Sequence, residues 1–206
     1  MTSFLENLEW RAAVKGFQSQ TVLDGHIRPK IEKAIQLAPT SFGLQPFYAL
    51  AVTDSGVKKL LRKSGWDQNQ FETAQVIYVF VARTDVQKRI DEFVHLIKKT
   101  EPVRAKTIGG YEKMMRGSLE SRSQDELKAW ASKQIYIALG FAMAACAELK
   151  IGSCPLEGFL PEEFDKILKL PPGHFSTVAL AVGHADPAIP SLPKLRFPSQ
   201  DLVKHA

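Results

Sequence analysis

Apolar residues follow two rhythms along this chain. VIYVFVA (76–82) and FSTVALAVG (175–183) are nearly unbroken apolar runs rich in β-branched side chains, and FYALAVT (47–53) is a third. Such runs predict buried strands, and the continuity of 76–82 predicts an interior strand covered on both faces. Elsewhere the spacing is three and four. Ile31, Ala34, Ile35 and Ala38 make one apolar stripe, which predicts a helix with Pro29 in its first turn and its end at Ala38, because Pro39 disfavours helical backbone in the residue before it. Ser3 with Glu6 and Ser123 with Glu126 are capping boxes. The first predicts a short helix over 4–9. The second opens a helix of about 26 residues ending at Lys150, roughly 39 Å long. Its second half is apolar nearly all round, the pattern of a central core helix.

Between these elements, 55–63 predicts a small basic helix and Pro161 opens another over 161–168. The segment 86–117 predicts helix broken around Pro102 and Gly109-Gly110. Pro187, Pro190, Pro193 and Pro198 then crowd the tail, a composition suited to an extended arm. The expected architecture is one α+β domain over 1–206, an α/β-type mixed sheet flanked by helices. Residues 185–206 form its C-terminal arm.

Composition changes the picture little. The 206 residues are 45% hydrophobic and 24% charged, ordinary for a folded domain. The net charge of +5 raises the question of an anionic partner. Its cations are scattered over helix-like faces with no aromatic-interleaved basic stripe, so a small anionic ligand is expected and nucleic acid is not. The longest apolar run, Ile135 to Ala147, is 13 residues, against about 20 for a membrane span. Cys146 and Cys154 form no metal-ligand pattern, and no two histidines are spaced as zinc ligands, so no metal is expected. Two cysteines and an N-terminus without a signal-peptide core predict a cytoplasmic protein. GxGxxG, GxxxxGK[ST] and GxSxG are all missing, which argues against dinucleotide-fold, P-loop and α/β-hydrolase chemistry.

Four patches could carry chemistry. Arg11 and Lys15 lie four apart and share a face in strand or helix. LAPTSFGLQPF (37–47) is a helix stop followed by a polar loop. In CPLEGF (154–159), Glu157-Gly158 follows a proline in a tight turn where a ligand could approach the backbone. In LPKLRFP (192–198), Lys194 and Arg196 point the same way in an extended arm, about 6.6 Å apart. Taken singly, these read as a solvated pair, an ordinary loop, a plain turn and two tail cations.

Their order along the chain resembles the nitroreductase family of flavin-dependent enzymes. Arg11 to Phe17 is similar to its Arg-x-Ser-x-Lys-x-Phe element, and Ala38 to Phe47 to its Ala-Pro-Ser-Ser-x-Asn-x-Gln-Pro-Trp loop. Trp130 to Gly140 resembles its Trp-x-x-Lys-Gln-x-Tyr-Ile-Ala-Leu-Gly stretch, Pro155 to Phe159 its Pro-x-Glu-Gly-Phe turn, and Lys194 with Arg196 its terminal Lys-x-Arg. The resemblance implies a nitroreductase-like fold with FMN at a homodimer interface and NAD(P)H as reductant. Arg11, Lys194 and Arg196 would hold the phosphate, and Lys15 would face the pyrimidine edge of the ring. Pro39, Thr40, Ser41 and Gly43 would come from the other subunit. Pro155, Leu156, Glu157 and Gly158 would approach flavin N5, and Asp67 and Gln70 would touch the ring. Ala13 and Gly43 stand where the family has a hydroxyl residue and an asparagine, each removing one possible hydrogen bond. The implied reaction is ping-pong hydride transfer to a nitroaromatic, quinone-like or related small-molecule acceptor, with no catalytic side chain because flavin N5 is the reactive centre. Flavin or pteridine reduction, or a non-catalytic flavin-binding dimer, are the alternatives. The segment 85–125 is expected to shape the acceptor pocket.

Overall fold

A computed structural model describes residues 3–205; Met1, Thr2 and Ala206, the last residue of the expected arm, lie outside the described residues. Helices α1 (Phe4–Trp10) and α2 (Ile27–Leu37) precede β1 (Phe47–Val52), α3 (Ser55–Ser64), α4 (Gln70–Thr73) and β2 (Val76–Arg83). A helical stretch follows, made of α5 (Val86–Thr100), α6 (Pro102–Ala105), α7 (Ile108–Glu120) and the long α8 (Gln124–Glu148). The chain then runs through β3 (Gly152–Leu156), α9 (Pro161–Ile167), β4 (His174–Gly183) and the short α10 (Ser199–Leu202).

The four strands form one sheet in the order β1-β2-β4-β3, each neighbouring pair antiparallel. A parallel bridge from Ala13 to Ser153 extends the β3 edge with the N-terminal segment. As its continuous apolarity predicts, β2 is interior and covered on both faces. Val76, Tyr78, Phe80 and Ala82 enter the core beneath α2 and α8, while Ile77, Val79 and Val81 enter a second core beneath α3 and α9. Both capping boxes form as predicted, Ser3 with Glu6 and Ser123 with Glu126.

Three expectations change. Gly109 and Gly110 do not break the helix; they sit in the first turn of α7, where backbone N–H groups have no intrahelical partner. Pro155 and Leu156 belong to a strand, and the turn begins only at Glu157. Proline is tolerated there because β3 is a sheet edge. Helix α8 is also not buried all round: Ala131, Ile135, Ala138, Leu139 and Ala142 face the core, but Tyr136, Ile137 and Phe141 are 42%, 39% and 43% exposed.

The second core supports the 157–159 turn. Phe164, fully buried, stacks on Phe159 at 4.2 Å between ring centroids and meets Phe71 edge-on at 5.4 Å. Phe164→Ala should lower unfolding stability by about 3–5 kcal/mol, read as a lower urea midpoint at unchanged slope.

At the other end of β2, Arg83 bonds Asp85 at 2.8 Å and Glu92 at 3.0 Å. Arg89 reaches the same Glu92 at 2.8 Å and donates to the carbonyl oxygens of Leu44, at 2.7 Å, and Gln45. This network therefore anchors the loop that follows α2. The Arg83 hydrogen bond, reinforced by Arg89, holds the Glu92 carboxyl down at about 2, against an ordinary 4.5. A depressed carboxylate stabilises the fold above its unfolded value and loses that contribution as it becomes protonated. Stability should thus fall from pH 4.5 toward pH 2, and Glu92→Gln should flatten that part of an acid-unfolding curve.

Candidate functional site

Both ends of the chain meet beside the β3 edge. Phe17 bridges to Ala185, the Gln18 N–H donates to the His184 carbonyl at 3.0 Å, and the Asp186 N–H donates to the Gly16 carbonyl at 3.0 Å. These bonds start the C-terminal arm alongside the N-terminal segment. Further on, the Lys194 amine donates to the carbonyl oxygens of Leu8 and Glu9, the latter at 2.8 Å. A cleft of about 200 Å³ results, lined by Arg11, Ala13, Lys15, Lys194 and Arg196 among others.

Among the described residues, none of the cleft's four cations is in a salt bridge, and Glu9 acts on Lys194 only at longer range. Partial burial, then repulsion from Arg11 and Arg196, holds the Lys194 amine below its ordinary value. Cations gathered at this electrostatic cost create a local field that favours an anion.

Ala13, in the cleft lining, bridges to Ser153 of β3. Burial pushes the Cys154 thiol up, while the cations of Lys15 and Arg11 and a hydrogen bond from Gln70 pull the other way. Gln70 is buried, with its amide nitrogen 4.0 Å from Cys154 Sγ. Beyond Pro155 and Leu156, the turn Glu157-Gly158 is closely held. Gln68 donates to the Gly158 carbonyl at 2.6 Å, and a Cβ on Gly158 would stand 2.8 Å from the Trp66 ring. A side chain there would force the Trp66 ring aside, and among the described residues the Gly158 N–H has no acceptor. Trp66 is 70% exposed, its backbone in the left-handed region at φ 51°.

The other predicted residues lie apart from the cleft. Asp67 is committed to Arg62, at 2.7 Å. In the loop after α2, the Ser41 N–H donates to Gln134 Oε1 at 2.9 Å, and Thr40 Oγ1 accepts from the Gln45 N–H at 3.0 Å. Pro39, Thr40, Ser41 and Gly43 do not line the cationic cleft. Gly43 has φ +71°, a left-handed backbone that asparagine also tolerates. Gly43 therefore keeps the loop's backbone and gives up only a side-chain amide. Trp66, Gln68, Cys154 and Tyr136 were not singled out by the sequence. The first two border Asp67 and Gln70 in GWDQNQ, and Tyr136 lies within the 130–140 stretch, so the signal was present for those three.

The family model described as Nitroreductase family matches residues 8–184, most of the chain. The chain belongs to the nitroreductase family. A provisionally assigned NAD(P)H nitroreductase of Bacillus subtilis strain 168, YfkO, is 32% identical over 219 residues, covering 98% of this chain and 97% of that protein. A protein of Thermus thermophilus named NADH dehydrogenase is 29% identical over 194 residues, covering 94% and 91%. Among solved structures, a provisionally assigned nitroreductase from Exiguobacterium sibiricum, crystallised with FMN, superimposes with a TM-score of 0.87 at 16% identity, covering 100% of this chain and 98% of its own. The nitroreductase fold expected from the five sequence elements is therefore the fold of this chain. Among the described residues, no helix is long and apolar enough to cross a membrane.

Proposed function

We propose that this nitroreductase-family chain is an FMN-dependent oxidoreductase that uses NAD(P)H to reduce small planar acceptors, nitroaromatic or quinone-like, by a ping-pong mechanism. The observation that carries this reading is the cleft in which Arg11, Lys15, Lys194 and Arg196 converge with no acid among them. Its size and charge suit a phosphate, and the free Gly158 N–H suits a ring nitrogen. The names of the Bacillus and Thermus relatives and the FMN of the Exiguobacterium protein support the same cofactor and reductant.

Arg11, Lys194 and Arg196 hold the phosphate through charge-assisted hydrogen bonds. Lys15 supplies a fixed positive charge at the pyrimidine edge, which favours the reduced ring. FMN brings the hydride chemistry, accepting from NAD(P)H and passing to the acceptor, so the chain needs no acid–base dyad. Gly158 would leave room for a close approach of the flavin, and Gln70, Pro155 and Leu156 would contact it on the same side. The exposed indole of Trp66, against Gly158, offers a stacking wall for a flat acceptor. The helices of 85–125 complete that pocket, and Asp67 borders it.

The working unit in this proposal is a homodimer. The exposed apolar face of α8 and the arm side chains Leu192, Leu195 and Phe197, 77%, 88% and 76% exposed, need a partner surface. One domain whose 185–206 arm starts against its own N-terminal segment and turns its exposed apolar side chains to the partner satisfies both. The loop Pro39, Thr40, Ser41 and Gly43 then serves the partner's FMN rather than its own. Initial-rate kinetics test the reaction: varying NAD(P)H at several concentrations of a quinone or nitroaromatic should give parallel double-reciprocal lines. Intersecting lines, or no turnover with either class, would reject the mechanism.

A further inference from the structure

The Glu157-Gly158 turn is pinned from three sides. Two of the restraints, Gln68 on the Gly158 carbonyl and Trp66 against its Cα, come from the loop between α3 and α4. The third comes from α8: Tyr136 Oη donates to Glu157 Oε1 at 2.6 Å, a length typical of an O–H···O⁻ bond. Burial, and then Glu157 itself, push the Tyr136 phenol up to about 12, so it remains a donor over the whole working range. Glu157 is otherwise an exposed side chain beside the half-buried Gly158 and the buried Phe159, with several rotamers open to it. Tyr136 also stands among Ile137 and Phe141 on the open apolar face of α8.

We infer that Tyr136 is a positioning residue: its bond to Glu157 holds the Glu157-Gly158 peptide at the flavin edge and ties that peptide to the face of α8 where a second subunit would sit. The inference rests on the FMN reading for its consequence, and on this chain alone for the contact. Tyr136 touches no reacting atom. It removes freedom from the Glu157-Gly158 peptide, and ordering of that kind is how a remote group contributes to a reaction geometry.

Hydrogen–deuterium exchange over residues 156–160 of the flavin-free protein, paired with the midpoint potential of the FMN-loaded protein, tests this. Tyr136→Phe keeps the ring and removes the donor; it should speed exchange about tenfold and shift the potential. Glu157→Ala, which leaves α8 untouched, should do both in the same direction, and the double variant should be no worse than either single one. Glu157→Gln keeps an acceptor for the phenol and should stay nearer the wild type in exchange. Wild-type exchange in Tyr136→Phe, or additive effects in the double variant, would overturn the inference. The two readings fail separately: protein with the expected exchange that cannot take up FMN rejects the cofactor and keeps the contact. Yellow protein whose exchange and potential ignore both substitutions rejects the role of Tyr136 alone.

Discussion

Replacing Lys194 and Arg196 together by alanine should give a folded protein that is purified without its flavin. Each charge-assisted bond to a phosphate contributes about 1.5–3 kcal/mol, so losing both should weaken FMN binding by roughly 10²–10⁴-fold. Arg196→Ala alone is the cleaner half of the test. Among the described residues, Arg196 hydrogen-bonds only the carbonyl of its neighbour Leu195, whereas Lys194 also ties the arm to the end of α1. Fluorescence titration of apoprotein with FMN measures the change. Unaltered affinity in the double variant would remove the arm from the phosphate site.

Phe141→Asp should convert the protein to monomers and empty the cofactor site at the same time. Phe141 is 43% exposed in the single chain, on the α8 face with Tyr136 and Ile137. In the proposed homodimer, a carboxylate forced into this face without a partner costs about 3–5 kcal/mol, enough to weaken self-association by roughly 10²–10³-fold or more. Flavin should leave with the dimer because the loop Pro39 to Gly43 does not line its own chain's cleft. Size-exclusion chromatography with detection at flavin wavelengths reads both outcomes in one run. A monomer that keeps full FMN affinity would show that one chain builds a complete site.

These two experiments divide along the line between what the sequence displays and what it hides. Local signals were reliable where local energetics decide. The capping boxes begin α1 and α8 where Ser3 and Ser123 stand, and Pro39 ends α2. The apolar runs of β2 and β4 are buried as expected, whereas FYALAVT, expected to be a buried strand, became the sheet-edge strand β1, most of which is only half-buried or exposed. The strand β3 was illegible: GSCPL carries a glycine and a proline, both poor strand formers, and it is extended because β4, with the N-terminal segment at Ser153, supplies its hydrogen bonds. Tertiary context likewise overrode Gly109 and Gly110, harmless in the first turn of α7.

The candidate site was legible only in combination. Arg11 and Lys194 are separated by most of the chain, and nothing local to either predicts the bonds from Gln18 and Asp186 that bring the arm to the N-terminal segment. The match of five spaced elements supplied that pairing. Tyr136 and Gln68 were missed because their importance lies in what they hold, not in their own chemistry. The face of α8 read as core because apolar residues surround the helix. A face meant for a second subunit and a face meant for the interior have the same composition.

The visible absorption spectrum of the purified protein, recorded under argon before and after NADH or NADPH, tests the central claim most directly. The account predicts a yellow protein with a flavin band that bleaches on adding reductant and returns with a quinone or nitroaromatic. A colourless protein that takes up no FMN on reconstitution, or a flavin band that neither nucleotide bleaches, would contradict it.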